Sequence, residues 1–168
     1  MNEEIPRAYI SLGSNLGESR KNIESAFLRL KELSSEPIVR SSLWKSTPVD
    51  CPPGSPEFIN AVIALAPREG ETPESLLQRL QQLESEFGRT PKKVLNEARP
   101  LDLDLIAFGH EVRNSSELIL PHPRAHLRKF VLAPLAEIAP SLTLPGQKKS
   151  VRELLKNLRT DEVVEKLS

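Results

Sequence analysis

Two aspartates one residue apart, Asp102 and Asp104, lie in the stretch Arg99-Pro100-Leu101-Asp102-Leu103-Asp104-Leu105-Ile106-Ala107-Phe108. Apolar and acidic residues alternate here, the pattern of a β-strand whose side chains point to opposite faces in turn. Leu101, Leu103 and Leu105 then share one face, and Asp102 and Asp104 share the other, roughly 6–7 Å apart. Carboxylates held that close repel each other unless a cation sits between them. With no His or Cys beside them the ligands are all oxygen, which suits a hard ion, Mg²⁺ more readily than Zn²⁺. The plain alternative is a solvated acidic face on an ordinary amphipathic strand. The apolar continuation Ile106-Ala107-Phe108, the preceding arginine and the basic segments on either side favour the metal.

Those segments are Arg89, Lys92, Lys93 and Arg99 before the strand, and His122, Arg124, Arg128 and Lys129 after it. Arginines clamp phosphate oxygens in pairs. Clustered cations around an acidic pair describe a polyanion site, and the fitting reaction class is phosphoryl or nucleotidyl transfer. His122 is the candidate phosphate contact among three histidines; a structural histidine is the other reading. Asn60 interrupts the otherwise apolar run Phe58–Leu65. A buried amide must find hydrogen-bond partners, here neighbouring backbone or the edge of a planar heterocyclic ligand.

The elements that must position these residues follow from periodicity. Ala8–Leu12 reads as a strand, Gly13-Ser14-Asn15-Leu16-Gly17 as a break, and Ser19–Leu33 as a helix with Ile23, Phe27, Leu30 and Leu33 on one face. The break follows a strand, as a phosphate loop does, but lacks the Lys-Ser/Thr ending, so a tight turn with polar side chains is favoured over a phosphate cradle. Pro37–Trp44 reads as a second strand. The stretch Lys45–Pro56 holds four prolines and a glycine and is expected to be a functional loop. Phe58–Leu65 is a third strand, with Phe58, Asn60, Val62 and Ala64 on one face. Thr72 caps a helix striped by Leu76, Leu77, Leu80, Leu83 and Phe87 and ended by Gly88. Arg89–Ala98 is basic and aperiodic; with the loop Ser46–Glu57 it is expected to act as a lid. A hairpin partner starts near Glu111–Arg113, Leu118–Leu120 precedes the second basic stretch, and helices follow over Val131–Ile138 and Val151–Leu158. The order β-α-β-β-α-β predicts an α+β fold of the ferredoxin-like type, an antiparallel sheet with helices on one side and extra C-terminal elements.

At 168 residues the chain fits one domain. Hydrophobic content of 38% and charge of 27% describe a globular chain. Lys plus Arg and Asp plus Glu both number 23, a balance that argues against broad attraction to nucleic acid or membrane. One cysteine, Cys51, excludes an internal disulfide. The polar start Met1–Arg7 gives no signal peptide, and the expected compartment is the cytoplasm.

Taken together, these motifs resemble the 6-hydroxymethyl-7,8-dihydropterin pyrophosphokinase family of folate synthesis. The resemblance rests on Ala8-Tyr9-Ile10-Ser11-Leu12-Gly13-Ser14-Asn15-Leu16-Gly17, Phe58-Ile59-Asn60-Ala61 and Gly88-Arg89. It rests equally on Arg99-Pro100-Leu101-Asp102-Leu103-Asp104-Leu105 and on Leu120-Pro121-His122-Pro123-Arg124 through Arg128-Lys129-Phe130-Val131-Leu132. It covers about Ala8 to Pro145 of a single domain over 1–168, leaving 150–168 as a C-terminal helical segment.

The resemblance implies pyrophosphate transfer from ATP to the hydroxymethyl group of a dihydropterin, with release of AMP. Asp102 and Asp104 would bind two Mg²⁺ ions, with Arg89 and Arg99 beside them in the catalytic set. Gln81, Glu84, Arg89, Lys92, Arg99, Leu105, Ile119, His122 and Arg128 would serve ATP. Ser46, Thr47, Pro48, Val49, Phe58, Asn60 and Phe130 would hold the pterin, with Asn60 on its amide edge and the two phenylalanines on its faces. It also implies a monomer and a functional association with dihydropteroate synthase. No general base is identified. Three departures stand out: Asn96-Glu97-Ala98 where relatives carry Trp-Gly-Pro, Ser46 where threonine is common, and Pro91-Lys92 where a second arginine is frequent. The rival readings are an inactive relative that binds pterin or nucleotide, and a ferredoxin-like RNA-binding module. The second would need aromatics on the sheet face, and aromatics are only 4% of the chain.

Overall fold

A computed structural model describes residues 7–47, 54, 56–88 and 100–167. Its elements are β1 (Ala8–Ser14), α1 (Ser19–Lys31), β2 (Val39–Arg40), β3 (Trp44–Ser46), β4 (Phe58–Leu65), α2 (Pro73–Glu86) and β5 (Asp102–Phe108). There follow β6 (Arg113–Asn114), β7 (Ile119–Leu120), a 3₁₀ turn (Ala125–Leu127), α3 (Lys129–Ile138), α4 (Val151–Asn157) and β8 (Val164–Lys166). The class is α+β. The main sheet runs β5-β1-β4-β3-β8, with β2 also on β4, and β6-β7 form a separate pair. Every pairing in the main sheet is antiparallel. Among the described residues, no helix is long and apolar enough to cross a membrane.

Alternation along the strands divides the core in two. Ile10, Leu12, Ile63, Leu65, Leu103 and Leu105 face the apolar stripes of α1 and α2, namely Ile23, Phe27, Leu30, Leu76, Leu80 and Leu83. The predicted caps are in place: the Thr72 side chain accepts the Ser75 amide and Ser75 returns the bond, with Pro73 in the first turn.

Helices were expected on one side, with extra C-terminal elements of no stated place; those elements cover the opposite face. Val62, Ile106 and Ala107 pack against Val131, Leu132 and Leu135 of α3 and Val151 of α4. The cause is legible in α3 itself, where five successive residues from Val131 to Leu135 are buried. A helix apolar all round needs cover on every side.

The other departures are local. The strand expected over Pro37–Trp44 is split, because Ser41 intervenes between β2 and β3. Its amide donates to Val62 C=O at 2.9 Å, while its hydroxyl, in place of its carbonyl, accepts the Val62 N–H at 2.9 Å. The hairpin begun near Glu111 pairs with β7 and stays off the main sheet. β8 was not foreseen. In β5 the register slips between Tyr9↔Ala107 and Ile10↔Leu105, leaving Ile106 as a bulge.

Ser41→Ala should lower stability by about 1–3 kcal/mol, because the buried Val62 amide loses its acceptor. Thermal melting measures this directly, and an unchanged midpoint would show that the hydroxyl is dispensable.

Candidate active site

The register of three strands brings the two suspected halves of the site onto one face. Asp102 pairs with Gly13 and Gly13 with Asn60, while Asp104 pairs with Ser11 and Ser11 with Val62. Trp44 lies beyond Asn60 in the same row. Directly paired residues share a face, so Asp102 and Asn60 flank Gly13 at two strand spacings, roughly 10 Å apart. Glycine keeps the floor between them open. A Cβ on Gly13 would lie 3.4 Å from Asn60 Nδ2 and 3.5 Å from Phe58 Cδ1.

Asp102 and Asp104 are both half-buried, while Leu103 between them points into the core. Among the described residues, no group of three or more His, Cys, Asp or Glu side chains is placed to hold a metal. Two carboxylates with room for water and phosphate oxygens are nonetheless the donor set that Mg²⁺ commonly takes, so the residues fit the ion.

On the other side of Gly13, Asn60 is only 2% exposed. The buried Ser46 hydroxyl donates to Asn60 Oδ1 at 2.5 Å. This fixes the amide orientation and turns its NH₂ toward Gly13 and the Phe58 ring. Thr47, half-buried, donates its amide to Val163 C=O at 3.2 Å. Phe130 is half-buried at the head of α3, with the Arg128 guanidinium 5.5 Å from its ring centre, a cation–π contact. Pro48 and Val49 lie outside the described residues.

A cleft of about 270 Å³ opens on the Asp104 side. Of the residues expected to serve a nucleotide, Leu105, Ile119 and His122 line it together with Asp104. Leu77, Ser115, Ser116 and Leu118 join them and were missed; Leu77 read as part of a core stripe, and the serines sit in a connection without periodicity. Gln81 is exposed on α2, one turn before Glu84. Glu84 itself is 8% exposed, and its Oε2 accepts the Leu103 amide at 2.7 Å. It therefore grips the outer edge of β5 between the two aspartates. Arg89, Lys92 and Arg99, the Asn96-Glu97-Ala98 substitution and most of both expected lids lie outside the described residues.

The side chains of Ser14, Asn15 and Asn22 hold the backbone that leads into two of the strands. Ser14 Oγ and Asn22 Nδ2 both donate to Pro100 C=O, at 2.6 and 3.1 Å, at the approach to β5. Asn15 Nδ2 donates to Pro56 C=O at 3.3 Å, at the approach to β4. These contacts agree with the turn reading of Gly-Ser-Asn-Leu-Gly: the donors hold carbonyls.

His122 is set by the bulge in β5, where Ile106 C=O accepts its backbone amide at 2.8 Å. Its Nδ1 accepts the Arg124 amide at 3.1 Å, which leaves the proton on Nε2. Burial, reinforced by Arg128 and Arg124 and opposed by Asp102, lowers its pKa to about 4. At neutral pH the ring is uncharged and can donate one hydrogen bond to an anion.

The unfolded chain takes up this proton near pH 6.5 and the folded chain only near 4. The neutral ring's contribution to stability is thus complete above about pH 6.5 and lost as pH falls toward 4. Melting midpoints of the metal-free protein should fall more steeply across that window than those of His122→Gln. Parallel curves would place the acid sensitivity elsewhere.

Known proteins provide an independent comparison. The family model described as 7,8-dihydro-6-hydroxymethylpterin-pyrophosphokinase (HPPK) matches residues 9–140. The 2-amino-4-hydroxy-6-hydroxymethyldihydropteridine pyrophosphokinase of Haemophilus influenzae is 37% identical over 159 residues, covering 94% of this chain and 96% of its own. The Pseudomonas aeruginosa protein of the same name is 39% identical over 142 residues, covering 84% and 85%. The folate synthesis bifunctional protein of Arabidopsis thaliana is 36% identical over 132 residues, which are 77% of this chain and 26% of that one. Among solved structures, Plasmodium falciparum HPPK-DHPS with pteroate superposes with a TM-score of 0.70 at 14% identity, covering 93% of this chain. This chain spans 43% of that one, and the likeness at such identity is one of fold. With a family match across most of its length and full-length relatives above a third identical, the chain belongs to the 7,8-dihydro-6-hydroxymethylpterin-pyrophosphokinase family.

Proposed function

We propose that this chain transfers pyrophosphate from ATP to the hydroxymethyl group of 6-hydroxymethyl-7,8-dihydropterin in folate biosynthesis, giving AMP and the pterin diphosphate. The observation that carries this is the row Asp102–Gly13–Asn60 across β5, β1 and β4. It supports the reading because Asp102, with Asp104 two residues on, shares one face with the buried Asn60 amide across a floor that carries no side chain.

The hydroxymethyl oxygen attacks the β-phosphorus and gives up its proton to solvent, the bond from that phosphorus to the oxygen it shares with the α-phosphorus breaks, and AMP leaves with that oxygen. Catalysis of such a transfer is mostly positioning and charge neutralisation. Asn60, oriented by Ser46, reads the amide edge of the pterin, and Phe58 and Phe130 stack on its faces. The cleft beside Leu105 and Ile119 takes the nucleotide, and neutral His122 donates from Nε2 to a phosphate oxygen. Arg89, Lys92, Arg99 and Arg128 supply positive charge, and Gln81 and Glu84 complete the nucleotide side. Asp102 and Asp104 would hold two Mg²⁺ ions, which supply charge neutralisation on the triphosphate. Glu84 keeps the backbone between those carboxylates in register.

The same reading takes the protein as one monomeric cytoplasmic pyrophosphokinase domain. The strand order β5-β1-β4-β3 with α1 and α2 on one face supports a ferredoxin-like arrangement. The bifunctional relatives suggest association with dihydropteroate synthase.

Incubation with ATP, Mg²⁺ and the hydroxymethyl dihydropterin should yield AMP, and ADP in its place would refute pyrophosphate transfer. Asp102→Asn and Asp104→Asn should each remove most turnover with the fold intact, since the pair exists to hold cations. Near-normal rates in both at ordinary Mg²⁺ would sink the metal assignment. Asn60→Leu should weaken pterin binding by about 2–4 kcal/mol while sparing ATP. Calorimetry with each ligand separates this from a structural role, which would weaken both.

A further inference from the structure

The C-terminal segment Thr160–Lys166 has no part in the chemistry above, yet it touches both walls of the pterin side. Along β3 it pairs Ser46↔Val164, Lys45↔Glu165 and Trp44↔Lys166. The Thr47 amide donates to Val163 C=O at 3.2 Å, and the Val163 amide returns a bond to Thr47 Oγ1 at 3.4 Å. Further along, the Leu167 amide donates to Leu43 C=O at 2.9 Å.

The same segment holds α3 at both ends. No side chain of Arg128 caps that helix. Glu162 does so from 33 residues away, accepting the Lys129 amide at 3.3 Å, beside Phe130. A carboxylate is favoured there by the helix dipole. At the far end, Lys166 pairs with Glu137 at 3.2 Å. Burial alone would raise the Glu137 pKa, but the Ser42 hydroxyl and amide, the Trp44 indole N–H and Lys166 hold it below the usual value.

We infer that Thr160–Lys166 is a positioning element for the planar heterocycle: it sets the spacing between the Ser46–Thr47 edge and Phe130 at the head of α3. The inference rests on the pterin reading of that side. Such a brace lies outside the reacting groups, so its loss acts on the affinity for one substrate and spares the other. Spacing errors of this kind cost binding because a stacked and edge-bonded ring tolerates little displacement.

The test is a pair of substitutions at Glu165 in the full chain. Thr47/Val163 and Leu43/Leu167 are bonded pairs, so alternation makes Lys45/Glu165 one as well. Glu165→Pro deletes its backbone donor, whereas Glu165→Ala keeps it and removes only an exposed side chain. Glu165→Pro should raise KM for the pterin at least fivefold, with KM for ATP within twofold of the unaltered chain. Glu165→Ala should leave both within twofold. Glu162→Ala, which frees the Lys129 amide without touching the strand, should shift pterin KM in the same direction. Unchanged pterin KM in Glu165→Pro and Glu162→Ala would overturn the inference. So would a parallel rise of both KM values with a falling melting midpoint, the mark of a merely structural strand. Failure of the unaltered chain to form AMP would overturn the functional reading and this inference together, a result distinct from an active parent with unresponsive variants.

Discussion

The register of β1 between β4 and β5 is the constraint on which the site depends. Gly13 can stand between Asp102 and Asn60 only in the pairing observed. Side chains on a strand alternate faces, so a slip of one residue in β5 would turn both aspartates into the α1–α2 core and push Leu103 and Leu105 out. The apolar face therefore enforces the polar one. Each buried leucine is worth about 1.5–3 kcal/mol, and Ile10, Leu12, Leu103 and Leu105 all resist such a slip together. Functional geometry is held here by hydrophobic burial, and the carboxylates need contribute nothing to it.

That core fixes the strands sideways, and buried polar groups fix them lengthwise. Glu84 holds the Leu103 amide on the open edge of β5, and Ser14 with Asn22 holds the Pro100 carbonyl just ahead of it. An edge strand presents unpaired backbone groups, and these side chains occupy some of them. The bulge at Ile106 adds a further device. By freeing its carbonyl for the His122 amide, it ties the connection after β7 to the strand bearing the aspartates.

Much of this was legible in the sequence where one residue's chemistry and its periodicity agreed. The aspartate pair needed only strand alternation, and Asn60 stood out as a lone amide in an apolar run. Thr72, Pro73 and Gly88 marked the ends of α2 by chemistry local to the chain. Illegible features shared one property: they join residues far apart in sequence. Ser41 offers its hydroxyl, in place of its own carbonyl, to a backbone donor on β4, Glu84 reaches β5, and Asn15 reaches Pro56; no local pattern announces such partners. β8 is three residues long, with only Val164 half-buried and its other two residues exposed, too short for a period to emerge. The all-round apolarity of α3 was visible, but the sheet face it covers was not.

Polar side chains at this site accordingly divide by what they face. Ser46 illustrates the division. Its hydroxyl is spent on Asn60 Oδ1, so it meets no ligand directly through that donor, and yet it decides which way the amide donors point. Had the amide been free to flip, half its orientations would present oxygen toward Gly13 and read the opposite hydrogen-bond pattern on a heterocycle. A buried hydroxyl that donates to a carbonyl oxygen removes that ambiguity at the expense of one donor. Threonine offers the same hydroxyl with an extra methyl group, so serine preserves the chemistry and gives up only packing. In the proposed reading, recognition by Asn60 is a property of the β3–β4 pair, and whatever holds β3 in place holds the orientation of the Asn60 amide as well.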